Sequence, residues 1–268
     1  LRKQSTRTIR QLKKMGVLFM TVLLFMFCLY SQADLGTQAV FNGETAVPVV
    51  KNADKPAPVP QGAIYKVQTD KKVVALTFDI SWGEKAPGPI LDILEKKGVK
   101  KATFFLSGPW TTTHGDIAKR IKTMGYEIGN HGHRHDDFPK YNNQWITEQV
   151  GKSEQAIYET TGVKTKLIRT PNGAFDKRVV KHLNSMGYTV VQWNTDSLDW
   201  MRPGPDKIVQ RVVSRAVPGD IILMHASDSA LQTIDALPRI IDGLRQKGYE
   251  FMTVSELISG AGVTSKQE

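Results

Sequence analysis

The chain has 268 residues, 40% of them hydrophobic and 23% charged, with a net charge of +10 and a single cysteine. That length is enough for one large domain or two small ones with a well-buried core, and the lone Cys28 excludes an internal disulfide framework. Six positive charges, Arg2, Lys3, Arg7, Arg10, Lys13 and Lys14, precede any acid and leave +4 for the rest. No basic stripe interleaved with aromatics follows, so the charge does not point to nucleic acid; the mild residual excess suits an anionic surface such as a cell wall.

Met15 to Tyr30 carries no charge and follows the basic stretch. This is the pattern of a secretory signal or an N-terminal anchor, oriented positive-inside. Its length is marginal for a full span, which takes about 17–25 residues. Ser31-Gln32-Ala33 offers small residues for signal cleavage, and Cys28 lies inside the apolar run. Residues 1–33 are thus expected to be a signal peptide or membrane anchor, and either outcome exports the remainder to the outer face of the membrane, the cell wall or a spore envelope. Residues 34–62, with Pro48, Pro56, Pro58 and Pro60 and few large apolar side chains, read as a linker. The catalytic candidate then occupies residues 63–260, with 261–268 as a tail.

Lys72 to Phe78 is β-branched and apolar and predicts a strand ending at Asp79. Pro87 to Lys97 predicts a helix stopped by Gly98. Ala102 to Leu106 is a second strand, running into Ser107-Gly108-Pro109. Asp116 to Met124 is helical, and Tyr126 to Asn130 is a third strand. Asn143 to Thr161 is a long helix ended by Gly162. Lys166 to Arg169 is a fourth strand, and Asp176 caps a helix to Met186. Tyr188 to Trp193 is a fifth strand, followed by Asp196 to Trp200. Asp206 to Ala216 places Ile208, Val209, Val212, Val213 and Ala216 on one helical face. Asp220 to Met224 is a sixth strand ending at His225. Ala230 to Lys247 is a helix in which Pro238 could introduce a kink. A short strand, Tyr249 to Met252, and a last helix, Val254 to Ile258, complete the series. About seven strand–helix units in one run favour an α/β fold with parallel strands, closed or nearly closed into a barrel.

The polar candidates all follow strand ends, the face that carries the active site in βα barrels. His131 and His135, four apart, supply half of a tetrahedral metal site if a helical turn puts them on one side. Asp79 can bind a metal or act as general base. Asp196 and Asp199 could keep His225 cationic as a general acid. Arg169 could orient Asp79 or bind substrate, or be a surface arginine. The Pro171-Asn172-Gly173 turn could offer backbone N–H groups to an oxyanion. Trp200 and Leu223 could wall a pocket for an acyl methyl and a sugar face, or be ordinary core. His133, His114 and His182 are assigned no role. Together these groups suit metal-assisted hydrolysis of an amide or ester.

With these residues in view the chain resembles the polysaccharide deacetylase family, with its NodB homology domain, over about Lys72 to Leu257. The family's motifs stand here as Thr77-Phe78-Asp79-Ile80, His131-Gly132-His133-Arg134-His135, Arg169-Thr170-Pro171-Asn172-Gly173, Asp199-Trp200 and Leu223-Met224-His225. The resemblance implies a distorted (β/α)7 barrel, a divalent metal, often zinc, on His131 and His135, and removal of acetyl from N-acetylated sugars. By the same resemblance Asp79 is the base and Asn172 gives its backbone N–H. The Thr77 to Gly83 stretch and the single-pass N-terminus resemble the branch of sporulating Gram-positive bacteria associated with spore peptidoglycan. The family's second aspartate, a metal ligand, is Ile80 here, and Gly132 and Asn172 also depart from the usual residues. Asp79 then shifts onto the metal, or metal binding is weak, or efficient deacetylation is lost. The leading expectation is a metal-dependent peptidoglycan N-deacetylase. The alternatives are a deacetylase or esterase of other acetylated glycans, and a weak or silent wall-binding or spore-assembly protein.

Overall fold

The computed structural model describes residues 62–260 and 262–266. The proposed signal or anchor segment, and all but the last residue of the linker, lie outside the described residues. No helix among the described residues is long and apolar enough to cross a membrane.

Alternation along one strand sets both layers of the fold. In β2 (Val73–Ile80), Val74, Leu76, Phe78 and Ile80 pack outward into the apolar layer beneath the helices. Ala75 turns the other way, into an inner cluster with Ile64, Phe105, Leu167, Val191 and Ile221. Thr77 and Asp79 continue that inner face toward the strand's C-terminal end.

Around β2 the strands run β1 (Ala63–Gln68), β8 (Asp220–His225), β2, β3 (Thr103–Leu106), β4 (Glu127–Asn130), β5 (Leu167–Ile168) and β6 (Thr189–Val190). The pairings from β8 to β6 are parallel. A bridge between Ile64 and Val191 brings the two ends together, and the Gln192 N–H donates to the Ile64 carbonyl at 2.8 Å. The result is the nearly closed barrel that strand–helix alternation predicts. β7 (Thr195–Asp196) pairs with β8, and β9 (Glu250–Phe251) pairs with β2.

The helices are α1 (Pro87–Lys96), α2 (Gly108–Thr113), α3 (Gly115–Thr123), α4 (Asn143–Thr161), α5 (Lys177–Ser185), α6 (Pro205–Arg215), α7 (Gln232–Gln246) and α8 (Val254–Ser259). Local chemistry fixes their ends. The Asn142 side chain accepts from Trp145 N–H at the start of α4, and Gly162 ends that helix at φ 74°. Asp176 caps α5 through Val179 N–H, and Thr253 with Glu256 forms a capping box on α8. Pro238 is accommodated inside α7.

Three features depart from the sequence reading. Ser107-Gly108-Pro109, read as the end of the second strand, opens into α2, with Pro109 in its first turn where a missing N–H costs nothing. β1 was not anticipated, and residues 262–266, read as a tail, form β10 (Gly262–Lys266), antiparallel to β1. Short strands of mixed polarity carry a weak period-2 signal. The fourth and fifth strands pair over two residues each, since the ladder is shortest where the barrel closes.

At the opposite end from the candidate site, Asp220 is fully buried at the start of β8. Its Oδ2 accepts from Thr195 Oγ1 at 2.6 Å, and its Oδ1 has no partner among the described residues. Burial pushes its pKa from 3.8 up to about 6. A carboxyl that binds its proton more tightly when folded stabilises the fold most below its unfolded pKa, and that advantage is lost as pH rises through the folded pKa. Asp220→Asn is therefore expected to raise the unfolding free energy at pH 7 by about 2 kcal/mol, with the gain vanishing near pH 3.5, measured by urea denaturation at both pH values.

Candidate active site

The parallel register of β2 and β8 pairs Ala75 with Ile221, Thr77 with Leu223 and Asp79 with His225. Paired residues of parallel strands share a face, so Asp79 and His225 stand side by side at the mouth of the barrel with Leu223 beneath. A cleft of about 380 Å³ opens there, also lined by His131, His135, Asn172 and Trp200. Every residue expected at the site from the sequence lines this cleft except Arg169 and Asp199, which stand directly behind it.

Arg169 follows β5 and is completely buried. Its Nη1 donates to Asp79 Oδ1 at 2.7 Å and to Thr77 Oγ1 at 2.9 Å, and its Nη2 donates to the Gln192 carbonyl at 3.0 Å. Its guanidinium carbon lies 4.3 Å from the centre of the Phe105 ring. Phe105 fits because it faces Gly129 on β4, where a Cβ would fall 2.5 Å from its ring. Arg169 is thus the group that orients Asp79, and the surface-arginine reading fails. Burial alone would raise the pKa of Asp79, but the charges of Arg169, His131 and His225 outweigh it and hold the carboxyl below its ordinary value.

His225 is the reverse case. Its Nδ1 meets Asp199 Oδ1 at 2.7 Å, and its backbone N–H donates to Asp199 Oδ2 at 2.7 Å. Thr233 Oγ1 donates to the same Oδ2 at 2.7 Å, so the buried Asp199 is fixed from three directions. Burial would lower the His225 pKa, yet the Asp199 carboxylate, with Asp79 and Asp196, raises it. The site thus holds an ionised carboxylate beside an imidazole biased toward its protonated form.

His131 and His135 converge with ring centres 5.3 Å apart. The segment between them is not a helical turn. It bends at Gly132, φ 75°, whose N–H is held by Asn130 Oδ1 at 2.8 Å. His131 Nδ1 is 2.8 Å from the Arg169 carbonyl, which accepts its proton and leaves Nε2 bare, facing Asp79 Oδ2 at 3.8 Å. Burial, only partly offset by Asp79, lowers the His131 pKa to about 4, and burial also lowers that of His135. Both imidazoles are therefore neutral at physiological pH, as metal ligation requires.

The donor chemistry fits a divalent ion at these two nitrogens, with the tautomer of His131 already set. A third ligand is not supplied at position 80. Ile80 is fully buried in the outer apolar layer beside Phe78, and no group of three metal-ligating side chains is found among the described residues.

Asn172 takes the left-handed conformation, φ 58°, and its Nδ2 donates to Asp137 Oδ1 at 2.9 Å, tying this turn to the histidine segment. Trp200 is half-exposed on the turn that carries Asp199, between left-handed Leu198 and Arg202. His133 points away from the cleft, its buried Nδ1 unpaired beside Gly108 and Ser153. Sequence reasoning missed Trp82, Trp193, Ser227 and Ser229, which also line the cleft. Trp82 and Ser227 each lie two residues past a strand end, a position that could have suggested them.

The chain matches the polysaccharide deacetylase family over residues 66–191. It is 38% identical to protein YlxY of Bacillus subtilis, covering 73% of this chain and 60% of YlxY. It is 35% identical to a peptidoglycan-N-acetylglucosamine deacetylase of Bacillus cereus, covering 74% of this chain and 71% of that enzyme. The chain belongs to the polysaccharide deacetylase family. Its fold superimposes on BA3943, a CE4 family pseudoenzyme from Bacillus anthracis, with a TM-score of 0.69 and 35% identity, covering 74% of this chain and 69% of that one. The chain spans only three-fifths of the length of YlxY. Deacetylases of this family are generally metal-dependent.

Removing Arg169 would leave the Asp79 charge buried without its partner. Arg169→Leu is expected to cost about 3–5 kcal/mol of stability in urea unfolding, because one half of a buried ion pair is then uncompensated.

Proposed function

We propose that this chain removes acetyl groups from the N-acetylated amino sugars of a cell-wall polysaccharide, with peptidoglycan as the substrate that the names of its relatives favour. The observation that carries this reading is the pairing of Asp79 with His225 on adjacent strands, one held ionised and the other biased toward protonation. The acetamide lies over Leu223 with its sugar against Trp200. Asp79 takes a proton from the attacking water as its oxygen bonds to the acetyl carbon. The Asn172 backbone N–H stabilises the carbonyl oxygen as it becomes negative. His225, its charge sustained by Asp199, protonates the sugar nitrogen as the C–N bond breaks, releasing acetate and a free amine. His131 and His135 are the residues that would hold a divalent ion, zinc by their nitrogen donors, whose chemistry there is Lewis-acid polarisation of the acetyl carbonyl.

The proposed setting is outside the cytoplasmic membrane, a reading supported by the basic N-terminus followed by the uncharged run Met15 to Tyr30. A sporulation setting rests on the Thr77 to Gly83 stretch together with the N-terminal apolar segment. A second reading, glycan binding with little turnover, is favoured by one observation: Ile80 sits in the apolar layer and supplies no ligand. The likeness to a pseudoenzyme agrees with it.

Acetate release from N-acetylated glycan, followed with added zinc, separates these readings. Under the first, acetate forms, and Asp79→Asn or His225→Ala lowers the rate by about 10²–10⁴-fold. Glycan bound without acetate establishes the second. His131→Ala is expected to remove zinc binding measured calorimetrically on the same protein. Asp199 raises the pKa of the acid, so Asp199→Asn is expected to move the alkaline limb of the pH–rate profile to lower pH.

A further inference from the structure

Trp82 plays no part in the chemistry derived above, yet its surroundings are unusually determined. The indole is 47% exposed, and it lines the same cleft as Asp79 and His225. Its ring stands nearly perpendicular to that of His135, at 81° and 5.1 Å between centres.

The loop beneath it is clamped from another part of the barrel. Asp228, in the loop after β8, accepts from the N–H groups of Lys85 at 2.9 Å, Ala86 at 3.0 Å and Glu84 at 3.3 Å. Its carboxylate fills the space left by Gly83, whose φ of +94° and lack of a Cβ allow an approach that any other residue would block. Trp110 Nε1 donates to the Gly83 carbonyl at 2.8 Å from the side of α2. Arg202 Nε in turn donates to the Ser229 carbonyl at 2.8 Å, joining the Trp200 turn to the same assembly.

Folding gains little from an indole that keeps half its surface in water. A rigid loop that presents such a ring is instead the arrangement found at binding hot spots, where an aromatic gives large contact area with little entropy lost on binding. Trp200 flanks the cleft from the Asp199–His225 side, and Trp82 flanks it from the His135 side. The acetylated sugar belongs on the Leu223 and Trp200 side, where the proton donor is. Trp82 is then left for the next unit along a chain.

We propose that Trp82, positioned by Asp228, stacks against the sugar neighbouring the acetylated one, so that the cleft selects chains of N-acetylated amino sugars over single sugars. This rests on reading the site as one for acetylated glycan.

The test is calorimetric binding to the full chain, which needs no turnover, with the N-acetylglucosamine tetramer and monomer as probes. Trp82→Ala is expected to raise the tetramer Kd about tenfold or more and to change the monomer Kd less than about twofold. Trp82→Tyr is expected to restore most of the tetramer affinity, and Asp228→Ala to weaken the tetramer selectively by loosening the loop. Unchanged thermal unfolding of Trp82→Ala confirms that the comparison is between folded proteins, and Trp82→Tyr serves if it is not. The subsite is overturned if Trp82→Ala binds the tetramer like the wild type, or weakens both sugars by the same factor. If the wild type binds neither sugar, the glycan reading itself fails and the subsite with it.

Discussion

A buried arginine holds this site together. The Arg169 guanidinium has no contact with solvent, and its charge is matched by one carboxylate, Asp79. It also donates to Thr77 and to the backbone carbonyls of Gln192 and Val191, and its flat face lies on Phe105. Taking both charges out of water costs several kcal/mol per ion, and only this dense set of partners offsets it. The return is geometric. Asp79 is fixed in one orientation and its pKa is held below the ordinary value inside a site whose burial works to raise it. The backbone carbonyl of the same arginine accepts from His131 Nδ1, so Arg169 also sets the tautomer of the neighbouring imidazole. Candidate base and candidate ligand are thus oriented by one residue.

The second half of the site depends on register. Asp79 and His225 lie opposite each other because β2 and β8 pair without a bulge from Val74–Asp220 to the strand ends. A slip of one residue would turn His225 into the helix layer and bring Met224 into the cleft. The apolar alternation on both strands guards against that slip, since Phe78 and Met224 belong to the outer core. Core packing is therefore what places an acid beside a base with opposite pKa biases.

How much of this was legible in the sequence follows from the range of each interaction. Apolar periodicity and terminator glycines are local, and they gave the helices and the strand–helix alternation. Asp79, His131, His135 and His225 could be singled out because each closes an apolar strand or lies just past one. β5 and β6 were read, though as longer strands than the two residues each that pair, while β7, the helix after Ser107 and the pairing of β1 with residues 262–266 were not legible. Two-residue ladders have no period to read, and β1 is recruited by partners far away in sequence. The convergence of His131 and His135 was foreseen for the wrong reason: a left-handed glycine brings them together where a helical turn was expected. Trp82 was passed over because its clamp, Asp228, is 146 residues distant, a separation at which no local pattern signals contact.

In the proposed reading, the isoleucine at position 80 would bear on rate more than on recognition. Near the histidine pair Asp79 is the carboxylate at hand, and its two oxygens are already divided. Oδ1 serves Arg169, while Oδ2 faces the bare nitrogen of His131. An oxygen that ligates an ion has its lone pair engaged and is a poorer proton acceptor, so ligand and base compete for one atom. A site with a separate ligand carboxylate escapes that competition, whereas Ile80 is committed to the apolar layer. The groups that would hold a sugar, Trp82, Trp200 and Leu223, are independent of this conflict. In the proposed reading, the want of a third ligand would slow the chemical step while leaving the walls of the cleft intact. Binding of acetylated glycan is the property of this site least exposed to the substitution.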